Sequence, residues 1–208
     1  MAGKSICLYF CPFKRRQIFM TDFLADIDKC IETLKAGGVI LYPTDTVWGL
    51  GCDATNATAV EKIFRIKQRP QHKSLIVLLA DEKTLLQYVA APDLEVFNFL
   101  ETVQKPTTVI YDGIIGLAEN VPSEDGSVGI RIVKESFCKH LIKRFRKPIV
   151  STSANISGEK TPAIYPEISK KIKESVDYIV QYRQDDTSVS APSGIIKWVE
   201  GRAVTIRS

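Results

Sequence analysis

Apolar residues along this chain repeat with two periods. Phe23, Leu24, Ile27, Ile31 and Leu34 recur at helical spacing, Thr21 or Asp22 stands where a cap belongs, and Gly37-Gly38 stops the run. Residues 39–42 form a short continuous apolar stretch, read as a buried strand, and the loop P-T-D-T-V-W-G-L-G follows. Thr58-x-x-Glu61 has the form of a capping box for a second helix, which must end before Pro70. Strands are expected at 75–79, 107–111, 127–132, 148–152 and 177–181, and helices near 82–88, 93–103, 135–146 and 166–174. The closing pair G-I-I-K-W-V and A-V-T-I-R is joined by E-G-R, which reads as a hairpin turn. No repeat or long linker interrupts this order. The pattern predicts one α/β domain with a twisted mixed parallel/antiparallel sheet flanked by helices.

Composition narrows the class. The 208 residues are 45% apolar, enough for one substantial core. No apolar run is long enough to span a membrane. The five cysteines, at 7, 11, 30, 52 and 138, form no C-x-x-C pair and no metal-like spacing, which points to a reducing, cytoplasmic compartment. The formal charge of +4 is local. Residues 1–19 hold Lys4, Lys14, Arg15 and Arg16 with no acidic residue; removing these four from 28 Lys and Arg leaves 24 against 24 Asp and Glu. The body of the protein therefore gives no bulk-charge argument for a nucleic-acid partner. Residues 1–19 are expected to be a poorly structured extension rather than a signal peptide, because Pro12 breaks their short apolar run and the charges follow it. Residues 20–208 are expected to be the folded domain, with Met20 a candidate initiator.

Three polar pairs share one spacing. Thr44 and Thr46 follow a predicted strand, Ser153 and Asn155 follow another, and Lys67 and Arg69 precede a third. Residues i and i+2 point the same way in extended chain. On a helix they diverge by roughly 200°. Pro70 biases Arg69 toward extended backbone and ends the helix near Lys67, which lets the two cations converge. Lys67 also shares a helical stripe with Val60 and Phe64, next to Ile63, so it points toward the core side or a cleft. Helix-end cations that simply favour the dipole are the other reading of this cluster, and the one adopted for Arg65 and Lys73. Ligands bind at the carboxyl ends of strands in open α/β sheets. Lys67 and Arg69 reach that edge only if the strand at 75–79 runs antiparallel to the one at 39–42.

Taken in order, P-T-D-T-V-W-G-L-G-C-D at 43–53, I-F-R-I-K-Q-R-P at 63–70, S-V-G-I-R at 127–131, S-T-S-A-N-I-S-G at 151–158, P-S-G-I-I at 192–196 and I-R at 206–207 resemble the YrdC-type threonylcarbamoyl-AMP synthases. The resemblance covers nearly all of 22–208 and is to the short, single-domain type, so 20–208 would be a YrdC-like catalytic domain. It implies a nucleotidyltransferase. Threonine and bicarbonate form N-carboxylated threonine, which attacks the α-phosphate of ATP to give threonylcarbamoyl-adenylate and pyrophosphate. The adenylate feeds t6A modification at tRNA position 37 through partner proteins, and Mg²⁺ accompanies ATP. Lys67, Arg69, Ser153 and Asn155 match the family's Lys, Arg, Ser, Asn tetrad. The resemblance also places Ser127, Thr161 and Arg207 near the nucleotide, and Thr44, Arg131, Ser153 and Ser193 near threonine, with Arg131 suited to its carboxylate.

This chain departs from the family pattern in places. Gln68 stands where Gly is frequent, Trp48 where Tyr is common, and Leu78 where a His is frequent. Q-K-P-T at 104–107 replaces P-G-P-x-T, and Ser193-Gly194 replaces S-T. The alternative reading is a non-catalytic module of the same fold that binds double-stranded RNA or tRNA. Lys134, Lys139, Lys143, Arg144, Arg146 and Lys147 around the expected fifth helix would suit it, or would simply be a solvated face.

Overall fold

A nine-stranded mixed sheet organises the molecule. The computed structural model describes residues 23–70 and 75–207. The expected caps Thr21 and Asp22, the extension 1–19, Met20, His72 and Lys73 lie outside them. In chain order the elements are α1 (Leu24–Lys35), β1 (Ile40–Tyr42), β2 (Gly49–Asp53), α2 (Ala57–Lys67), β3 (Ile76–Leu79), α3 (Glu82–Leu85), α4 (Glu95–Thr102), β4 (Thr107–Tyr111) and β5 (Val128–Ile132). There follow α5 (Ser136–Phe145), β6 (Ile149–Ser153), a 3-10 turn (Tyr165–Glu167), α6 (Lys170–Glu174), β7 (Tyr178–Ile179), β8 (Gly194–Val199) and β9 (Arg202–Arg207).

The spatial order is β7-β1-β2-β6-β3-β5-β4-β8-β9. β1–β2, β2–β6, β6–β3, β5–β4 and β8–β9 pair antiparallel; β1–β7, β3–β5 and β4–β8 pair parallel. Three successive reversals from β1 to β3 make those two strands antiparallel. The direction required for the Lys67–Arg69 segment to meet the 43–48 and 154–158 loops is therefore met.

β2 corrects the reading of 43–51 as one continuous loop. Its sequence G-L-G-C-D has two glycines and one acid, a composition that hides a strand, yet all five residues are buried between β1 and β6. Pairing on both sides holds it, not propensity. The α2 start also differs. Asn56, not Thr58, is the cap: its Oδ1 accepts from Ala59 N at 3.1 Å, and Thr58 and Glu61 lie inside the helix. The helix expected near 166–174 is a 3-10 turn containing Pro166 followed by α6, whose cap is Ser169. The strand at 177–181 shortens to two residues on the sheet edge. The hairpin turn at Glu200-Gly201 is present, with φ of 49° and 72°.

Of the stripe expected on α1, Phe23, Ile27 and Leu34 are buried and Leu24 and Ile31 half-buried, because Asp26 and Cys30 also turn inward; α5 buries Phe137, Leu141 and Phe145. α1 packs on α5, with the Phe23 and Phe137 rings meeting edge-on at 5.7 Å between centroids. Two basic residues near the end of α5 are engaged within the fold, Arg144 with Asp28 and Lys147 with Asp53, each at 2.7 Å. Among the described residues no helix is long and apolar enough to cross a membrane.

One turn positions the site. α2 ends at Lys67, Gln68 takes a left-handed conformation with φ 50°, and Arg69 N donates back to Phe64 O while Gln68 N donates to Arg65 O. This is a Schellman closure, whose left-handed position favours glycine. Gln68→Gly should therefore raise the unfolding free energy by about 1 kcal/mol, read from denaturant titration. A loss of stability would show that the Gln68 side chain holds the turn.

Candidate active site

Lys67 lies on the buried stripe of α2 and is 1% exposed. Its Nζ donates to the backbone carbonyls of Ser153 and Asn155, the latter at 2.8 Å, and lies 3.5 Å from Asn155 Oδ1. The loop answers: Ser157 N donates to Lys67 O at 2.8 Å. Within the loop the Ser153 hydroxyl donates to Asn155 Oδ1, and Asn155 Nδ2 donates to Ile156 O and Glu159 O at 3.0 and 2.8 Å. The S-A-N-I-S-G segment is thus folded around one ammonium group. Burial pushes the Lys67 pKa down to about 8, and the neighbouring Arg69 guanidinium adds a smaller push in the same direction.

Beside this knot a cavity of about 260 Å³ opens over one face of the sheet. Arg69 lines it from the end of α2, Ser151 and Ser153 from β6, Gly49 from β2, Thr161 from the following loop, and Arg131 from β5. Ser193, just before β8, and Arg207 from β9 complete it. The strand register explains the convergence. Leu78 pairs with Arg131, Val109 with Ile130 next to it, and Ile195 with both Thr108 and Arg207, so Arg131, Ile195 and Arg207 come to the same end of neighbouring strands. Ser193 is pinned through its hydroxyl to Thr108 Oγ1 at 2.9 Å, and its carbonyl accepts from Arg207 Nη2 at 2.9 Å. Burial lowers the Arg69 pKa from the usual guanidinium value.

Arg131 is 4% exposed and stands beside the P-T-D-T loop. Its Nη2 is 2.9 Å from Asp45 Oδ1 and donates to Thr46 Oγ1 at 3.4 Å. The Asp45 contact is an ion pair without hydrogen-bond geometry, and Arg131 Nε, also buried, has no acceptor. Thr44 Oγ1 lies 3.0 Å from Thr46 Oγ1 and donates to Val47 O at 2.8 Å, so the two hydroxyls stiffen the loop.

The residues singled out in the sequence thus divide. Arg69, Ser153, Thr161, Arg131, Ser193 and Arg207 line one cavity. Lys67 and Asn155 build the loop behind it. Thr44 is buried beneath its loop, and Ser127 donates to Asp125 Oδ1 at 2.7 Å, outside the lining. Sequence reasoning did not select Asp45 or Ser151. Asp45 sits inside P-T-D-T, and Ser151 precedes Ser153 by the same two-residue step that marked the polar pairs.

A family model described as "Telomere recombination", Sua5/YciO/YrdC, matches residues 32–208. A protein of Pseudoalteromonas translucida named threonylcarbamoyl-AMP synthase is 35% identical over 159 residues, covering 74% of this chain and 84% of that protein. The chain belongs to the Sua5/YciO/YrdC family. Two solved structures share its fold. P. abyssi Sua5 complexed with L-threonine superposes with a TM-score of 0.77 at 23% identity, covering 87% of this chain and 53% of that one. E. coli YciO superposes with a TM-score of 0.72 at 23% identity, covering 88% of each. This chain therefore spans about half the length of that Sua5 and most of YciO.

The buried ammonium gives stability a pH dependence. The unfolded chain holds the Lys67 proton up to the ordinary lysine value of 10.5, whereas the folded chain releases it near 8. Between these values the unfolded state binds more protons, so stability rises with pH there. Relative to Lys67→Met, the wild-type unfolding free energy should increase by up to about 3 kcal/mol from pH 8 to 10.5 in urea titrations. A difference that stays flat or falls across that window would disprove the depressed pKa.

Proposed function

We propose that this chain is an L-threonylcarbamoyladenylate synthase, joining threonine, bicarbonate and ATP into threonylcarbamoyl-AMP and pyrophosphate. The observation that carries the reading is the cavity itself: Arg69, Arg131 and Arg207 line it together with serine and threonine hydroxyls, and no carboxylate is among the lining residues described. Such a set takes anionic oxygens. The curated relative named threonylcarbamoyl-AMP synthase and the P. abyssi Sua5 complexed with L-threonine support the choice of anions.

In this reading Arg131 receives the threonine carboxylate through its unpaired Nε, with Thr46 and Ser193 beside it. Thr44 stiffens the loop that carries Thr46. Arg69 grips the phosphates, with Thr161 and Arg207 on the nucleotide. Ser127 joins them after its hydroxyl leaves Asp125. Ser153 and Asn155, fixed by Lys67, hold the backbone against which the α-phosphate is attacked. The N-carboxy oxygen forms a bond to that phosphorus and pyrophosphate departs. Catalysis is then mostly positioning and charge stabilisation. Mg²⁺, brought with ATP, would neutralise triphosphate charge beside Arg69. The adenylate passes to the proteins that complete t6A on tRNA.

Pyrophosphate release from ATP should require both threonine and bicarbonate. Arg69→Ala should lower kcat on the order of 100-fold, the usual effect of removing one transition-state charge partner. Release that ignores threonine, or an undiminished Arg69→Ala enzyme, would sink the proposal. Salt-sensitive RNA binding with no turnover would instead favour the RNA-binding module.

A further inference from the structure

The cavity floor holds one hydroxyl, that of Ser151, to which the proposed mechanism gives no part. Ser151 lies on the cavity side of β6 and is 7% exposed. Its register partners are Gly51 on β2 and Ile76 on β3, and the Leu78–Arg131 pair lies one row further along. Ser151 therefore occupies the floor between Ser153 and the Arg131 row.

Tyr42 reaches this point from β1, across β2. A Cβ on Gly51 would stand 2.6 Å from Tyr42 Cε1, and a Cβ on Gly49 would stand 3.1 Å from Ser151 Oγ. The two glycines open a passage for a ring that crosses a whole strand. Tyr42 is 1% exposed, and its hydroxyl lies near Ser151 without a hydrogen-bond partner. Burial drives the Tyr42 pKa well above 10, with the nearby Cys138 the next contributor, so the phenol keeps its proton and acts as a donor. Phenylalanine would fill the same space without placing a costly polar atom in the interior. Packing alone does not call for the hydroxyl.

We propose that Ser151 is a substrate-contacting residue and that Tyr42 positions it. With the anion bound, the Tyr42 hydroxyl, unpartnered in the free protein, closes onto Ser151 Oγ as a donor, which turns the serine's own proton into the cavity toward an oxygen of a small carboxylate-type anion. The assignment rests on the synthase reading and deepens it. Bicarbonate, and the N-carboxy group it becomes, must lie between the threonine end at Arg131 and the phosphate end at Arg69. Ser151 is the floor hydroxyl between them.

Steady-state kinetics with each substrate varied in turn tests this. Ser151→Ala should raise the KM for bicarbonate on the order of tenfold, as expected for a hydrogen bond to a charged acceptor. Tyr42→Phe should raise it about threefold, through misorientation of the serine. In both variants the KM for ATP should move less than about twofold. Melting temperatures should hold or, for Tyr42→Phe, rise. Equal increases in all three KM values, or an unchanged bicarbonate KM, would overturn the assignment. Line broadening of [13C]bicarbonate in the presence of threonine separates the two readings. If the wild type shows no threonine-dependent pyrophosphate release, the synthase reading fails. Broadening by wild type but not by Ser151→Ala would still support the Ser151 site, and no broadening by either would overturn it.

Discussion

A buried ammonium group is the constraint from which the site is built. Lys67 at 1% exposure cannot be solvated, so acceptors must come to it. They come as two backbone carbonyls from the exit of β6. Ser153 is the last residue of β6 to pair with β2, and the S-A-N-I-S-G loop starts there, with the Ser153 and Asn155 carbonyls turned onto the ammonium. The loop's own amide at Ser157 then caps the helix that supplies the lysine. Helix end, strand end and loop become one unit, and removing any part leaves a buried charge or carbonyl unpaired, which costs several kcal/mol in such settings. Arg69, two residues on, inherits its position from this unit and from the left-handed turn at Gln68.

A second constraint acts on the sheet. Central strands usually gain from β-branched side chains on both faces. β2 gives up two of them. Gly49 and Gly51 face the cavity side, where a Cβ would press on Ser151 Oγ and on the Tyr42 ring. The stability lost in β2 is offset by its burial between β1 and β6. What the strand gains is a floor on which side chains from β1 and β6 meet.

The same two constraints explain what could be read from sequence. Helical periodicity located α1, α2, α4 and α5, because an apolar stripe reports which face is buried. The two-residue polar steps marked Ser153–Asn155 and Lys67–Arg69, and the strand-direction condition attached to them is met. β2 was hidden because its glycines carry meaning only relative to Tyr42 and Ser151, which are distant in sequence. The stripe put Lys67 on the inner face of its helix, but it held no information about carbonyls 86 and 88 residues away. Thr58-x-x-Glu61 matched a local motif, yet Asn56, two residues earlier, reached the helix first. Each miss is a place where a long-range pairing or a competing local bond decided between options the local sequence left open.

Charge follows the same logic. Beyond its first 19 residues the chain carries equal numbers of cations and acids, so no overall field draws an anion toward it. Recognition must come from placement. Asp28 and Asp53 hold Arg144 and Lys147 on the helical layer, while the cavity keeps Arg69, Arg131 and Arg207 with no acid among its lining. Asp45, whose carboxylate pairs with Arg131, meets it without hydrogen-bond geometry and leaves its Nε without an acceptor. A partner that neutralised Arg131 fully would remove the reason for an anion to enter; no partner at all would leave a buried guanidinium to choose its own direction. The off-axis Asp45 contact does neither. It steers the guanidinium with Thr46 while leaving an N–H without an acceptor, and a domain whose charges balance beyond residue 19 thereby presents a local anion site.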